Sequence, residues 1–252
     1  MAEDRGVPVY NCHHVDTMPA IDGDLTKPPW DDVQPVWLVP ADGRATDAFW
    51  EEVGEGLLFA EGDPDAKPLD ARHMPYQPTC VRACWTATHL LLGFRALDRC
   101  IWGRLTRRDD PVYNEEVVEA FLSPTGDVRR YYELELSPRN VVFDARVDSP
   151  DLRRDTMTVN VLWDCPGLQT GVRIRGQLNH RSRRAHWWSA EIAVPFAAFP
   201  EAHPPRAGDV CRANFYRIDR SAPGEYTAWS PTLRSPADFH VPERFGVLRF
   251  VR

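Results

Sequence analysis

The chain has 252 residues, is 43% hydrophobic and 27% charged, and carries a net charge of -7. It is long enough for one large domain or two small ones and can bury a sizeable core. The lack of a basic excess excludes a general nucleic-acid binder, since phosphates need cations to neutralise them. No apolar run is long enough to span a bilayer, so no membrane partner is expected.

The N-terminus, "MAEDRGVPVYNCHHVD", has no hydrophobic signal core. As the chain stands it reads as cytoplasmic, and as secreted if a leader was removed. "CHHVD" offers Cys12, His13, His14 and Asp16, but adjacent histidines point apart, and the segment reads as a surface loop. "IDGDLTKPPWDD" reads as a turn followed by a buried Trp30. Residues 42–78 are the least strand-like part. They are expected to form an inserted loop region with a short helix at "TDAFWEEV", within a single domain of residues 1–252.

From Thr79 the pattern becomes β. "CVRACWTA" and "HLLLGFRAL" predict one hairpin, and "EVVEAFLS" and "RRYYELELS" a second around "PTGDV". "VVFDARV", "TMTVNVLWD", "GVRIRGQLN", "AHWWSAEIAV", "DVCRANFYRID" and "FGVLRFV" continue the series. In "GVRIRGQLN", Val172, Ile174 and Leu178 face one way and Arg173 and Arg175 the other, as in a sheet with one dry and one wet face. Proline, at 23 residues, suits short strands joined by turns. About ten strands without a long helix predict an all-β chain, an antiparallel β-sandwich.

"RDDPVYNEEVVEAFLSP" carries the chemistry. Read with period two, Val117, Glu119 and Phe121 share one strand face, while Glu116 falls on the other. Tyr131, Glu133 and Glu135 alternate with Tyr132, Leu134 and Leu136 in the next strand. A carboxylate is expensive to bury alone. Clustered carboxylates can be acid and base for glycoside cleavage, with Glu119 and Glu135 as the catalytic pair. They can also ligate calcium or accept hydrogen bonds from sugar hydroxyls. Equally, each can pair with an arginine such as Arg173, Arg175 or Arg217 in a purely structural network. The six cysteines match no zinc pattern and read as free, mostly buried thiols. A calcium site is allowed but not required, with Asp98, Asp109, Asp110 and Asp219 in turns; otherwise no cofactor is expected.

Taken in order, "IDGDLTKPPWDDVQPVWL", "HLLLGFRALD", "RDDPVYNEEVVEAFLSP", "RRYYELELSPRNVVFDARV", "WWSAEIAVPFAAF", "ANFYRIDR", "YTAWSPT" and "FHVPERFGVLRF" resemble family 9 carbohydrate-binding modules over residues 20–252. The resemblance implies a jelly-roll-like sandwich and non-catalytic binding of a mono- or oligosaccharide between two aromatic rings. It implies a module standing alone or within a larger enzyme. Carried over, the first ring falls on Tyr113, the acid six positions later on Glu119, and the opposing ring on Phe239. A sugar-contacting arginine of the family falls on Glu135, and both rings are tryptophan in the best-known binders. Arg217 is the donor expected at the site. Remote relatives of this sandwich bind haem, which here would need an axial ligand such as Met74, Met157 or His240.

Overall fold

The computed structural model describes residues 6–44, 77–180, 186–220 and 224–252. The expected helix and almost all of the expected insertion lie outside them. Among the described residues, fourteen strands run in chain order: β1 (Val9–His14), β2 (Val36–Trp37), β3 (Val39–Pro40), β4 (Thr79–Trp85), β5 (His89–Asp98), β6 (Val117–Ser123) and β7 (Arg130–Leu136). Then follow β8 (Val142–Asp148), β9 (Thr158–Asn160), β10 (Gln169–Arg175), β11 (His186–Pro195), β12 (Val210–Asp219), β13 (Glu225–Ala228) and β14 (Gly246–Val251). Helix among the described residues is confined to single 3-10 turns, one of which holds Tyr113.

The pairing path is β10-β11-β5-β4-β1-β14-β12-β6-β7-β8-β9. It doubles back on itself, so its two halves become the layers of a β-sandwich. Alternation in each strand places one apolar set between them: Leu92, Phe94 and Trp188 from one half, and Val118, Leu134 and Phe215 from the other. Phe94 meets Phe215 across the layers edge to face, with centroids 6.0 Å apart. Full burial of such side chains is worth roughly 1.5–3 kcal/mol each.

The two halves are joined through β1, which runs parallel to both β14 and β4. All other pairings between described strands are antiparallel. "CHHVD" is therefore not a surface loop up to His14. It closes a central strand with Tyr10 and Cys12 in the core. Its partners lie some seventy and some two hundred and forty residues away, at Cys84 and Val247.

Residues 15–33 pack on the outer face of the β4/β5/β11 half, where Trp30, Leu25 and Val33 form a separate apolar cluster. Glu191 of β11 pins this segment. It accepts hydrogen bonds from the N–H groups of Asp22 (2.8 Å) and Gly23 (2.7 Å), the indole N–H of Trp30 (2.6 Å) and Lys27 (3.1 Å). Gly23 has φ of +85°, and a Cβ there would lie 2.5 Å from the Arg173 backbone nitrogen. The turn can lie this close to β10 only because the residue is glycine. All six cysteines are free thiols.

Candidate functional site

The outer face of the other half carries the carboxylates. In β6, Val118, Ala120 and Leu122 point into the core, so Glu119 and Phe121 point out. The same parity sends Glu133 and Glu135 of β7 outward. The register sets Glu119 directly opposite Glu135, with Tyr216 of β12 on its other side. The three glutamates form the floor of a cleft of about 550 Å³, walled by Tyr113, Phe143, Phe239, Arg154, Arg220 and His240. One oxygen from each glutamate lies within 4.8 Å of the other two.

All three glutamates are buried, and burial raises each carboxyl above its ordinary range, with repulsion between the carboxylates adding to it at Glu119 and Glu135. Burial first, then Glu133, pushes the Glu119 carboxyl well above the usual range, with Arg220 opposing. Burial, then Glu119 and Glu133, does the same to Glu135. Glu133 is pushed up by burial to about 7, held lower than its neighbours by Glu135 and Arg154. Outside the carboxyl cluster, no side chain among the described residues donates to the Glu135 oxygens, and Glu135 shares a hydrogen bond with Glu133. The backbone N–H of Tyr113 offsets the rise at Glu135 in part.

The rings differ in their freedom. Tyr113 is 39% exposed and rests its edge on Phe143, centroids 5.3 Å apart. Phe239 is only 7% exposed, because it stacks on Tyr216 at 4.2 Å and 12°. It is a wall of the cleft that already has a stacking partner. Among the described residues, the cleft's cations are Arg220 and Arg154. Arg220 donates to the Tyr113 carbonyl at 2.8 Å and to the Tyr226 hydroxyl, and lies over the Tyr226 ring. Arg154 contacts Asp238 at 3.9 Å and the Met157 sulfur at 3.8 Å. Strand parity carries the signal for Arg220: counting by two from Tyr216 through Ile218 reaches it on the Glu119 face. Nothing in the local pattern singles out Arg154.

Arg217 is not in this cleft. It sits opposite Val118, so it points between the layers. There it donates to Asp98 (2.9 Å), Asp219 (3.1 Å), the Leu97 carbonyl (2.5 Å) and Thr79 (3.1 Å). Glu116 joins this cluster, its carboxyl pushed up to about 11 by burial and by Asp98. The alternative arginine partners are also elsewhere: Arg173 bonds Asp22 and Asp24 on the opposite half, and Arg175 lies against Arg95.

The four aspartates named for calcium do not form one group. Asp98 and Asp219 share a cluster with Glu116 and hold Arg217. Asp109 joins Asp144 and Asp164 around Arg108, which is 2.7 Å from Asp144 and 2.8 Å from Asp164. Asp110 stands apart and accepts from the N–H groups of Thr106 and Arg107. Of the haem-ligand candidates, Met157 and His240 both line the cleft, but the Tyr131 hydroxyl contacts both, at 3.4 and 2.8 Å. Met74 lies outside the described residues. For glycoside cleavage, one oxygen of Glu119 lies within 4.8 Å of one of Glu135, nearer to the roughly 5–5.5 Å carboxyl separation of a retaining pair than to the 6.5–9.5 Å of an inverting one.

The model of the family described as Carbohydrate-binding family 9 matches residues 66–250. The chain belongs to carbohydrate-binding family 9. Carbohydrate binding is therefore its function class. An extracellular protein of Arthroderma benhamiae is 28% identical to this family 9 chain over 204 residues, covering 77% of it and 85% of the relative. Among solved structures, a protein of Bacteroides uniformis described as carbohydrate-binding superposes with a TM-score of 0.69 at 18% identity, over 96% of this chain and 98% of that one. A family 9 module of Caldicellulosiruptor kristjanssonii in complex with cellotriose gives a TM-score of 0.54 at 15% identity, over 96% and 94% of the two chains. The same module with glucose gives the same score and identity, covering 97% of that chain. At these identities the solved structures speak for the fold.

Proposed function

We propose that this family 9 chain binds a sugar in the cleft between Tyr113 and Phe239, without catalysis. The observation that carries the reading is the combination of exposed ring and buried acceptors in one concavity of sugar size. A pyranose has apolar C–H faces and a rim of hydroxyls. Its face stacks on Tyr113, and its rim meets Glu119, Glu133 and Glu135 below and Arg220 at the side. Arg220 takes the donor role that Arg217 cannot. The family 9 neighbour in complex with cellotriose and with glucose supports a sugar as the class of ligand. The chain works alone or as a module that brings a larger enzyme to its substrate.

The test is Tyr113→Ala with calorimetry against a panel of mono- and disaccharides. An aromatic contact contributes on the order of 1 kcal/mol beyond burial. The expected loss is thus about tenfold in affinity, since 1.4 kcal/mol is tenfold. Melting should be nearly unchanged, because the ring is half outside the fold. Unaltered affinity for a sugar that the parent protein binds would place the site elsewhere.

A further inference from the structure

Resting on that reading, we infer that the cleft selects a sugar bearing a free amine, a 2-amino-2-deoxy sugar in its ammonium form, over the neutral sugar. The geometry admits an ammonium between three carboxyls. Three carboxyl oxygens, one each from Glu119, Glu133 and Glu135, lie within 4.8 Å of one another at the cleft floor. An ammonium has three donors to give when its fourth bond is to carbon. With N–H···O distances of about 2.8 Å and tetrahedral angles, the three acceptors lie about 4.6 Å apart. Glu135 is 2% exposed and lines the cleft, and no cationic side chain among the described residues donates to its oxygens, which are left to Glu133 and the Tyr113 backbone. Leaving buried acceptors empty is costly, and a ligand that fills them recovers that cost.

The surroundings make a neutral ligand a poorer match. A sugar hydroxyl can donate one hydrogen and satisfies one carboxyl. The remaining carboxyls must then stay protonated or repel. The cations already present do not occupy the socket. Arg220 from the end of β12 is held by the Tyr113 carbonyl and Tyr226, and Arg154 by Asp238 and Met157. His240 bonds Tyr131 and stands 3.8 Å from Glu133, with its ring held neutral down to about 4 by burial. The aromatic walls suit a cation too, since ring faces attract ammonium groups. An N-acetylated sugar has neither the charge nor the donors.

Binding is coupled to protons in a stated direction. The empty socket holds protons on Glu119 and Glu135 at neutral pH and titrates Glu133 near 7, and an arriving ammonium displaces protons from it. Affinity for the amine therefore rises with pH through the carboxyls. It falls again above about 8, where an amine like the α-amino group loses its own proton. Calorimetry with glucosamine, glucose and N-acetylglucosamine, each as monosaccharide and β-1,4-linked dimer, tests this. The expected result is at least tenfold tighter binding of the amine at pH 7. Its enthalpy should depend on buffer ionisation in the sense of proton release. Glu135→Gln, a same-shaped neutral replacement, should retain the fold and lose the preference for amine over glucose. Glucose binding as tightly as glucosamine, or a preference that survives Glu135→Gln, overturns the amine inference and leaves the sugar reading intact. A divalent cation binding alone at micromolar concentration and blocking glucosamine also overturns it. Binding of none of the six sugars overturns both.

Discussion

Two clusters of buried acids flank the paired strands β6 and β12, one inside and one outside, and they are resolved in opposite ways. Asp98, Glu116 and Asp219 lie between the layers around Arg217, whose guanidinium is 2% exposed and spends its donors on both layers. Glu119, Glu133 and Glu135 lie on the outer face, with no guanidinium among them and a cleft above. The first cluster is closed by the protein itself. The second is kept neutral by protons and left open. A closed cluster acts as a clamp between layers. An open one stores unsatisfied acceptors, and ligand binding is where they are used. The lesson is that carboxylate number says little about function, whereas the location of the compensating charge says much.

The comparison breaks most readily at Arg217. Arg217→Met keeps the volume and removes the charge, leaving Asp98 and Asp219 buried without their partner. Removing one side of a buried pair costs about 3–5 kcal/mol. For a domain of this size that is on the order of 10 °C in Tm. Thermal melting at pH 7 reads it directly. A change under about 2 °C would mean that the clamp is not structural.

Next in size is the pH dependence of the open cluster. The Glu133 carboxyl rises from 4.5 to about 7 on folding. Between those values the folded protein holds a proton that the unfolded chain has released, so its contribution is full below pH 4.5 and lost as pH rises through 7. Glu119, Glu135 and Glu116 act in the same direction, as does Glu225 at about 7. His240, held at about 4, and His89, lowered by burial, act the other way below pH 6.5 and are outnumbered. Stability should therefore fall as pH rises from 5 to 9. Glu133→Gln removes one share of that fall, on the order of 3 kcal/mol by pH 8. Denaturant titrations of both proteins across that range check it, and parallel curves would refute it.

How much of this the residues disclosed follows from what is local. The sandwich class and the outward set Glu119, Glu133 and Glu135 are period-two patterns in "VVEAFLS" and "YYELEL", and alternation alone assigns their faces. Arg217 is assigned to the wrong place because its face depends on pairing with β6, and register between strands distant in sequence is not written locally. The same parity, once Tyr216 is set beside Glu119, would have chosen Arg220. β1 escaped because a parallel strand near the terminus has partners far along the chain and no turn signal to announce it. The tie of Glu191 to Trp30 spans 161 residues and leaves no mark in either segment. Phe239 shows the same limit. Its position near "PERFG" was legible, but its stacking on Tyr216 is a fact of tertiary packing.

The smallest effect on stability, and the sharpest contrast, is the same substitution moved three residues along. Arg220→Met removes a guanidinium that is exposed, unlike Arg217. It loses contacts to the Tyr113 carbonyl and the Tyr226 hydroxyl at the cleft rim. Exposed charge interactions are worth about 0–1 kcal/mol, so melting should shift by only about 2 °C. Sugar affinity should respond more than stability does. Arg220 steadies the turn that carries Tyr113 and offers a donor beside the glutamates. Loss of a charge-assisted hydrogen bond of about 1.5 kcal/mol would weaken binding roughly tenfold. The pair of methionine variants then separates the clusters: Arg217→Met loses stability, and Arg220→Met loses ligand with the fold intact. Should Arg220→Met melt as low as Arg217→Met, the outer cluster too would be held together by its arginine. The distinction between a closed clamp and an open socket would then fall.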